Sequence, residues 1–107
     1  MKEESNILNL KEFIKENQFS LVYVSSEKCS VCKVLLPKIL EITNKYPNIK
    51  TRFVDLENMP EIASTFNIFT APLILFFIDG KEYLRESAYV QISEFDEKIN
   101  RLYTIYQ

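Results

Sequence analysis

The segment Phe19-Ser20-Leu21-Val22-Tyr23-Val24-Ser25 constrains the fold more than any other part of the chain. Aromatic and β-branched side chains favour extended backbone, and a near-continuous apolar run suits a strand covered on both faces. Such a strand needs a layer on each side. It runs through a short polar turn into Cys29-Ser30-Val31-Cys32, after which Leu35, Leu36, Ile39, Ile42, Thr43 and Tyr46 mark one helical face. Pro37 falls inside that helix, where it removes a backbone hydrogen bond and kinks the axis.

The remaining elements alternate in type. Leu10, Phe13 and Ile14 lie at helical spacing behind Asn9, which as N-cap predicts a first helix from about Asn9 to Asn17. After Pro47 and Asn48, Ile49 to Leu56 reads as a strand and Pro60 to Phe66 as a short helix with Ile62, Ala63 and Phe66 on one side. Leu73 to Ile78 reads as a third strand; it meets Asp79-Gly80, a strong hairpin signal, and returns as Lys81 to about Ser87. Ser93 reads as the cap of a terminal helix with Glu94, Asp96 and Glu97 in its first turn and Ile92, Phe95, Ile99, Leu102, Tyr103 and Tyr106 at core spacing. Helices between strands imply a parallel central pair, and the hairpin adds an antiparallel edge. The expected architecture is α/β: one domain over residues 1–107, a mixed sheet with helices on both faces.

Composition narrows the function classes. A chain of 107 residues with 47% hydrophobic, 13% aromatic and 26% charged residues can bury a core without metals or disulfide staples. Thirteen basic against fifteen acidic residues leave a net charge of -2, which excludes the basic footprint that nucleic acids and anionic membranes select. The longest apolar run, Ala71 to Ile78, falls far short of the roughly 20 residues that span a bilayer. Met1-Lys2-Glu3-Glu4-Ser5 leads into an amphipathic segment rather than the apolar stretch of a secretory signal. A cytoplasmic monomer is expected.

The chain has two cysteines, three positions apart. Free cysteine is often just a small buried hydrophobe, but these two open a helix at the carboxyl end of a strand, where open α/β sheets place their chemistry. At a helix N-terminus Cys29 sits near unpaired amides and the positive dipole end, surroundings that lower a thiol pKa to about 3.5–7.5. Lys28 adds a positive charge beside it, although a lysine at a turn is equally a solvated surface residue. Cys32, one turn further in, stays protonated and attacks the mixed disulfide formed at Cys29. With no histidine and no second cysteine pair, a metal site is not expected, and no cofactor is called for.

Several separated motifs give the chain a resemblance to the thioredoxin family over nearly its whole length. Cys29-Ser30-Val31-Cys32-Lys33 followed by Pro37 resembles the family's active-site helix. Val54-Asp55, Pro60 and Phe66-Asn67-Ile68 resemble its next strand, short helix and approach to the site. Thr70-Ala71-Pro72 resembles its cis-proline loop, and Asp79-Gly80-Lys81 its hairpin. The resemblance implies a thioredoxin fold with a four- or five-stranded mixed sheet, the fifth strand drawn from Ile7-Leu8. It also implies a cis Pro72 facing the cysteines and an Ala71 backbone that pairs with an extended substrate.

The departures from the family are specific. Lys28 stands where the best-known members have tryptophan, and Ser30-Val31 where they have Gly-Pro. The family's buried aspartate falls on Tyr23 and its lysine partner on Thr51, which leaves water, Lys28 or Glu27 to take the Cys32 proton. The implied activity is thiol-disulfide exchange that reduces protein or small-molecule disulfides, recharged by a reductase or thiol donor. The alternative is a redox sensor or binding module whose thiols switch a surface around Phe69, Ala71 and Pro72. Phe66, Ile68 and Phe69 could extend that groove, with Phe66 assigned to the core.

Overall fold

A computed structural model of the chain describes residues 1–107. The elements, in order, are α1 (Ile7–Glu16), β1 (Phe19–Ser25), α2 (Ser30–Thr43), β2 (Ile49–Asp55), α3 (Ile62–Phe66), β3 (Leu73–Ile78), β4 (Lys81–Glu86) and α4 (Ile92–Tyr106). They form a four-stranded sheet in the order β2-β1-β3-β4. β1 runs parallel to β2, from Phe19 opposite Ile49 to Ser25 opposite Asp55, and antiparallel to β3, from Phe19 opposite Ile78 to Val24 opposite Leu73. The carboxyl ends of β1 and β2 therefore meet the start of β3 at one end of the sheet.

Every residue of β1 is buried, and its alternate side chains feed two separate cores. Phe19, Leu21 and Tyr23 join Ile74, Phe76 and Ile78 under α2 and α4, which contribute Leu35, Ile39, Ile42, Phe95, Ile99 and Tyr103. Val22 and Val24 point the other way with Leu75 and Phe77, against Leu10, Phe13 and Ile14 of α1 and Ile62 of α3. The period of two along a strand thus divides one apolar run between two layers. Each large side chain so buried stabilises the fold by about 1.5–3 kcal/mol relative to exposure. No helix is long and apolar enough to cross a membrane.

The hairpin forms at the expected residues: Asp79 and Gly80 adopt φ of 50° and 83°, both left-handed, between β3 and β4. Helix starts differ from the sequence reading. Asn6, not Asn9, caps α1, its side chain accepting the Leu8 and Asn9 N–H groups at 2.9 and 3.1 Å. α4 is entered from Gln91 without a side-chain cap, because Ile92 already packs against the core; Ser93 and Glu94 lie inside the helix. Only Glu94 remains in the first turn, while Asp96 turns to the segment that follows α2, where Lys45 and the Tyr46 hydroxyl meet its carboxylate. The fifth strand expected at Ile7-Leu8 is absent because those residues begin α1. A single parallel bridge, Glu3 to Phe53, stands in its place, held by two 2.8 Å backbone bonds.

Candidate active site

Cys29 is the N-cap of α2 with extended φ and ψ of -101° and 98°. Its N–H donates to the Ser26 carbonyl at 3.1 Å, and its Sγ accepts the Cys32 N–H at 3.2 Å. The sulfur thus occupies the place a capping oxygen normally takes, where free amides and the helix dipole favour negative charge. The two cysteines are joined as a disulfide, with Cα atoms 5.3 Å apart. Cys29 is half-buried, whereas Cys32 is 1% exposed and belongs to the core under α2.

Beneath Cys32 lies Tyr23, wholly buried, whose hydroxyl donates a 2.6 Å hydrogen bond to the Cys32 carbonyl. Burial pushes the Tyr23 phenol up to about 12. The ladder corrects one detail of the sequence reading: Thr51 stands opposite Leu21, and Phe53 is the residue beside Tyr23, their rings 6.2 Å apart.

Cys32 also borders a cleft of about 230 Å³ lined by Ser25, Ser26, Glu27, Lys33, Leu36, Phe53 and Asp55. Asp55 accepts the Glu57 N–H at 2.8 Å. Its carboxyl is pushed above the ordinary range first by the hydrogen bond it shares with the Glu57 side chain and then by burial. Glu57 moves the opposite way, its charged form favoured by Asp55 and then by the Ser26 hydroxyl, which donates at 2.6 Å. The sequence reading missed this carboxyl pair. The usable signal was an acidic residue at the end of β2, because parallel neighbours end side by side.

The other expected residues fall around the cysteines. Lys28 and Ser30 are exposed, and Val31 is 49% exposed on the outer side of the first turn of α2. Lys28 acts on Glu57, as a minor favourable charge. Ala71 packs against the same core as Cys29, and Pro72 is buried, joined to Ala71 by a cis peptide bond. Ile68 is buried, Phe66 packs edge-on against Phe77 at 6.0 Å, and Phe69 is 74% exposed. Arg85 holds this approach from β4, donating to the Phe66 and Asn67 carbonyls at 2.7 and 3.1 Å. No group of three or more His, Cys, Asp or Glu side chains is arranged to hold a metal ion.

The thioredoxin family model matches residues 3–101. The chain belongs to the thioredoxin family. It is 35% identical over 102 residues to the thioredoxin-like protein YdfQ of Bacillus subtilis, covering 95% of this chain and 91% of that one. It is also similar to the thioredoxin of Fasciola hepatica, with a TM-score of 0.82 at 25% identity over 94% of this chain and 98% of the other. Mitochondrial thioredoxin 3 of Saccharomyces cerevisiae shares the fold, with a TM-score of 0.83 at 19% identity and 94% coverage of both chains. With its cysteine pair at disulfide distance, this thioredoxin-like chain is a thiol-disulfide oxidoreductase. Members of the family act on disulfide substrates and are recharged by a reductase.

Proposed function

We propose that the chain works as a reductant in the cytoplasm, opening disulfides of proteins or small molecules with Cys29 as nucleophile and Cys32 as resolving thiol. The Cys29 thiolate attacks one substrate sulfur, the substrate S–S bond breaks, and the first substrate thiolate leaves. Cys32 then loses its proton and attacks Cys29 Sγ, forming the Cys29–Cys32 bond and releasing the second substrate thiol. A reductase or thiol donor returns the pair to the dithiol.

The observation that carries this assignment is the N-cap geometry: the Cys29 sulfur accepts an amide at the positive end of α2, while Cys32 is buried behind it. The exposed Val31 on α2 and the half-buried Ala71 across the end of the sheet supply surface for an extended substrate chain. Insulin reduction by dithiothreitol tests it. Turnover by the unmodified protein, lost in Cys29→Ser, is expected; turnover that persists in Cys29→Ser overturns the assignment. A potential near about -270 mV is expected of a reductant, whereas one near about -120 mV would reverse the direction.

A second reading rests on the exposure of Phe69, three residues before Pro72. An exposed aromatic side chain in the chain that leads to Pro72 suits a partner whose docking follows the redox state of the thiols. Cys32→Ser separates the two readings, because many different trapped proteins indicate a reductase and a single one indicates a sensor.

A further inference from the structure

Resolution of the mixed disulfide requires the buried Cys32 thiol to lose a proton. Two surroundings are available to it, the core beneath and the cleft beside. The core side is closed: Tyr23 is wholly buried and commits its hydroxyl to the Cys32 carbonyl. A neutral phenol is no base near pH 7. The cleft side is open, and the one carboxyl that both lines it and is shielded by the sheet is Asp55.

We propose that Asp55 receives the Cys32 proton through water in this cleft, taking over the role that a buried acid beneath the cysteines cannot play where Tyr23 stands. The inference rests on the reading of Cys29 and Cys32 given above. The cleft volume of about 230 Å³ compares with about 30 Å³ for one water in the liquid, so a short water bridge fits. Balance is straightforward. The Cys32 S–H bond breaks and its proton passes to the Asp55 carboxylate. The Cys32 sulfur then bonds to Cys29 Sγ, and the electron pair of the broken Cys29–substrate bond leaves on the substrate sulfur, which takes a proton in turn.

The charged groups facing Asp55 favour such a relay. Glu57 follows it in the turn after β2 and shares a hydrogen bond with it, and Glu27 adds a like charge from the turn before α2. Lys28, in the same turn, acts on Glu57, and Lys33 of α2 closes the cleft wall. Asp55 therefore holds a proton more readily than an isolated aspartate, which moves the acceptor's pKa toward that of the thiol it serves.

Reduced protein mixed with one equivalent of 5,5′-dithiobis(2-nitrobenzoate) releases thionitrobenzoate twice, once as Cys29 attacks and once as Cys32 resolves. In Asp55→Asn the first release should be unchanged and the second slowed about tenfold at pH 7, a modest share of the usual benefit of a general base. The deficit should vanish above about pH 9, where thiols ionise unaided. Asparagine keeps the oxygen that accepts the Glu57 N–H, so the turn retains its bond. Glu57→Gln, with Asp55 intact, should move the acid limb of the second release to lower pH.

A second release in Asp55→Asn equal to that of the unmodified protein overturns the relay. So does a slowing that is the same at every pH, which would mark a structural effect. Two releases from Cys29→Ser would overturn the underlying reading of Cys29 as well; silence there, with Asp55→Asn indistinguishable from the parent, removes Asp55 alone.

Discussion

The hydroxyl of Tyr23 donates a 2.6 Å hydrogen bond to the carbonyl of Cys32, tying the central strand to the first turn of the active-site helix. Both groups lie in the core, so removing the donor leaves a buried carbonyl short of a partner. Tyr23→Phe should lower stability by about 1 kcal/mol and the melting temperature by about 5 °C. An unchanged melting temperature would show that the bond contributes nothing.

Tyr23 also sets a pH limit. Its phenol is raised from 10.0 to about 12 by burial, so the folded state favours the protonated form. A group raised on folding contributes stability that is full below its unfolded value and is lost as pH climbs through its folded value. Urea midpoints of the oxidised protein should therefore fall between about pH 10 and 12. Tyr46 and Tyr106 are raised too, so the Tyr23 share is the difference from Tyr23→Phe, whose midpoint should fall less steeply.

Gly80 sits in the β3–β4 turn at φ +83° with nothing within 4 Å of the position a Cβ would take. The cost of Gly80→Ala is then conformational alone, about 1 kcal/mol by denaturant melting. The rate of disulfide reduction should not change, since the turn lies at the end of β3 away from Pro72.

Arg85 joins β4 to the chain between α3 and Pro72, bonding the Phe66 and Asn67 carbonyls while Glu82 holds its guanidinium at 2.8 and 2.9 Å. Arg85→Gln should lower stability by about 1 kcal/mol and speed amide exchange over residues 66–71 more than elsewhere. Uniform exchange rates across the chain would remove Arg85 as an anchor of that loop.

The Cys29–Cys32 cross-link encloses only Ser30 and Val31, so it restrains little of the unfolded chain. Oxidised and reduced forms should differ by no more than about 2 kcal/mol in denaturant melts, and reduction should leave the far-ultraviolet dichroism unchanged. Unfolding on reduction would show that the cores cannot hold the fold alone.

What the sequence disclosed follows from which interactions are local. β1, β3 and the Asp79-Gly80 turn occur where their residues imply, because continuous apolarity and left-handed turn residues act within a few positions. The start of α1 was misplaced because Asn6 and Asn9 are equally good caps. Packing chose between them by drawing Ile7 into the helix, which also removed the strand expected there. The cysteine pair was legible from spacing and helix position. Asp55 was not, since its place beside Cys32 depends on β2 lying parallel to β1 in a register that sets Asp55 against Ser25, a relation between residues thirty positions apart in sequence.

The division of labour between Tyr23 and Asp55 separates two properties that compete when one buried acid serves both core and chemistry. A side chain enclosed on all sides can be exchanged only by repacking its neighbours. One on the wall of an open cleft can vary while they stay in place. In this chain the speed of exchange can therefore be retuned at the exposed Glu57, and at Asp55 by a substitute that keeps the oxygen bonding the Glu57 N–H, with the folding stability held nearly constant, which makes the cleft the place to begin engineering a faster or slower variant.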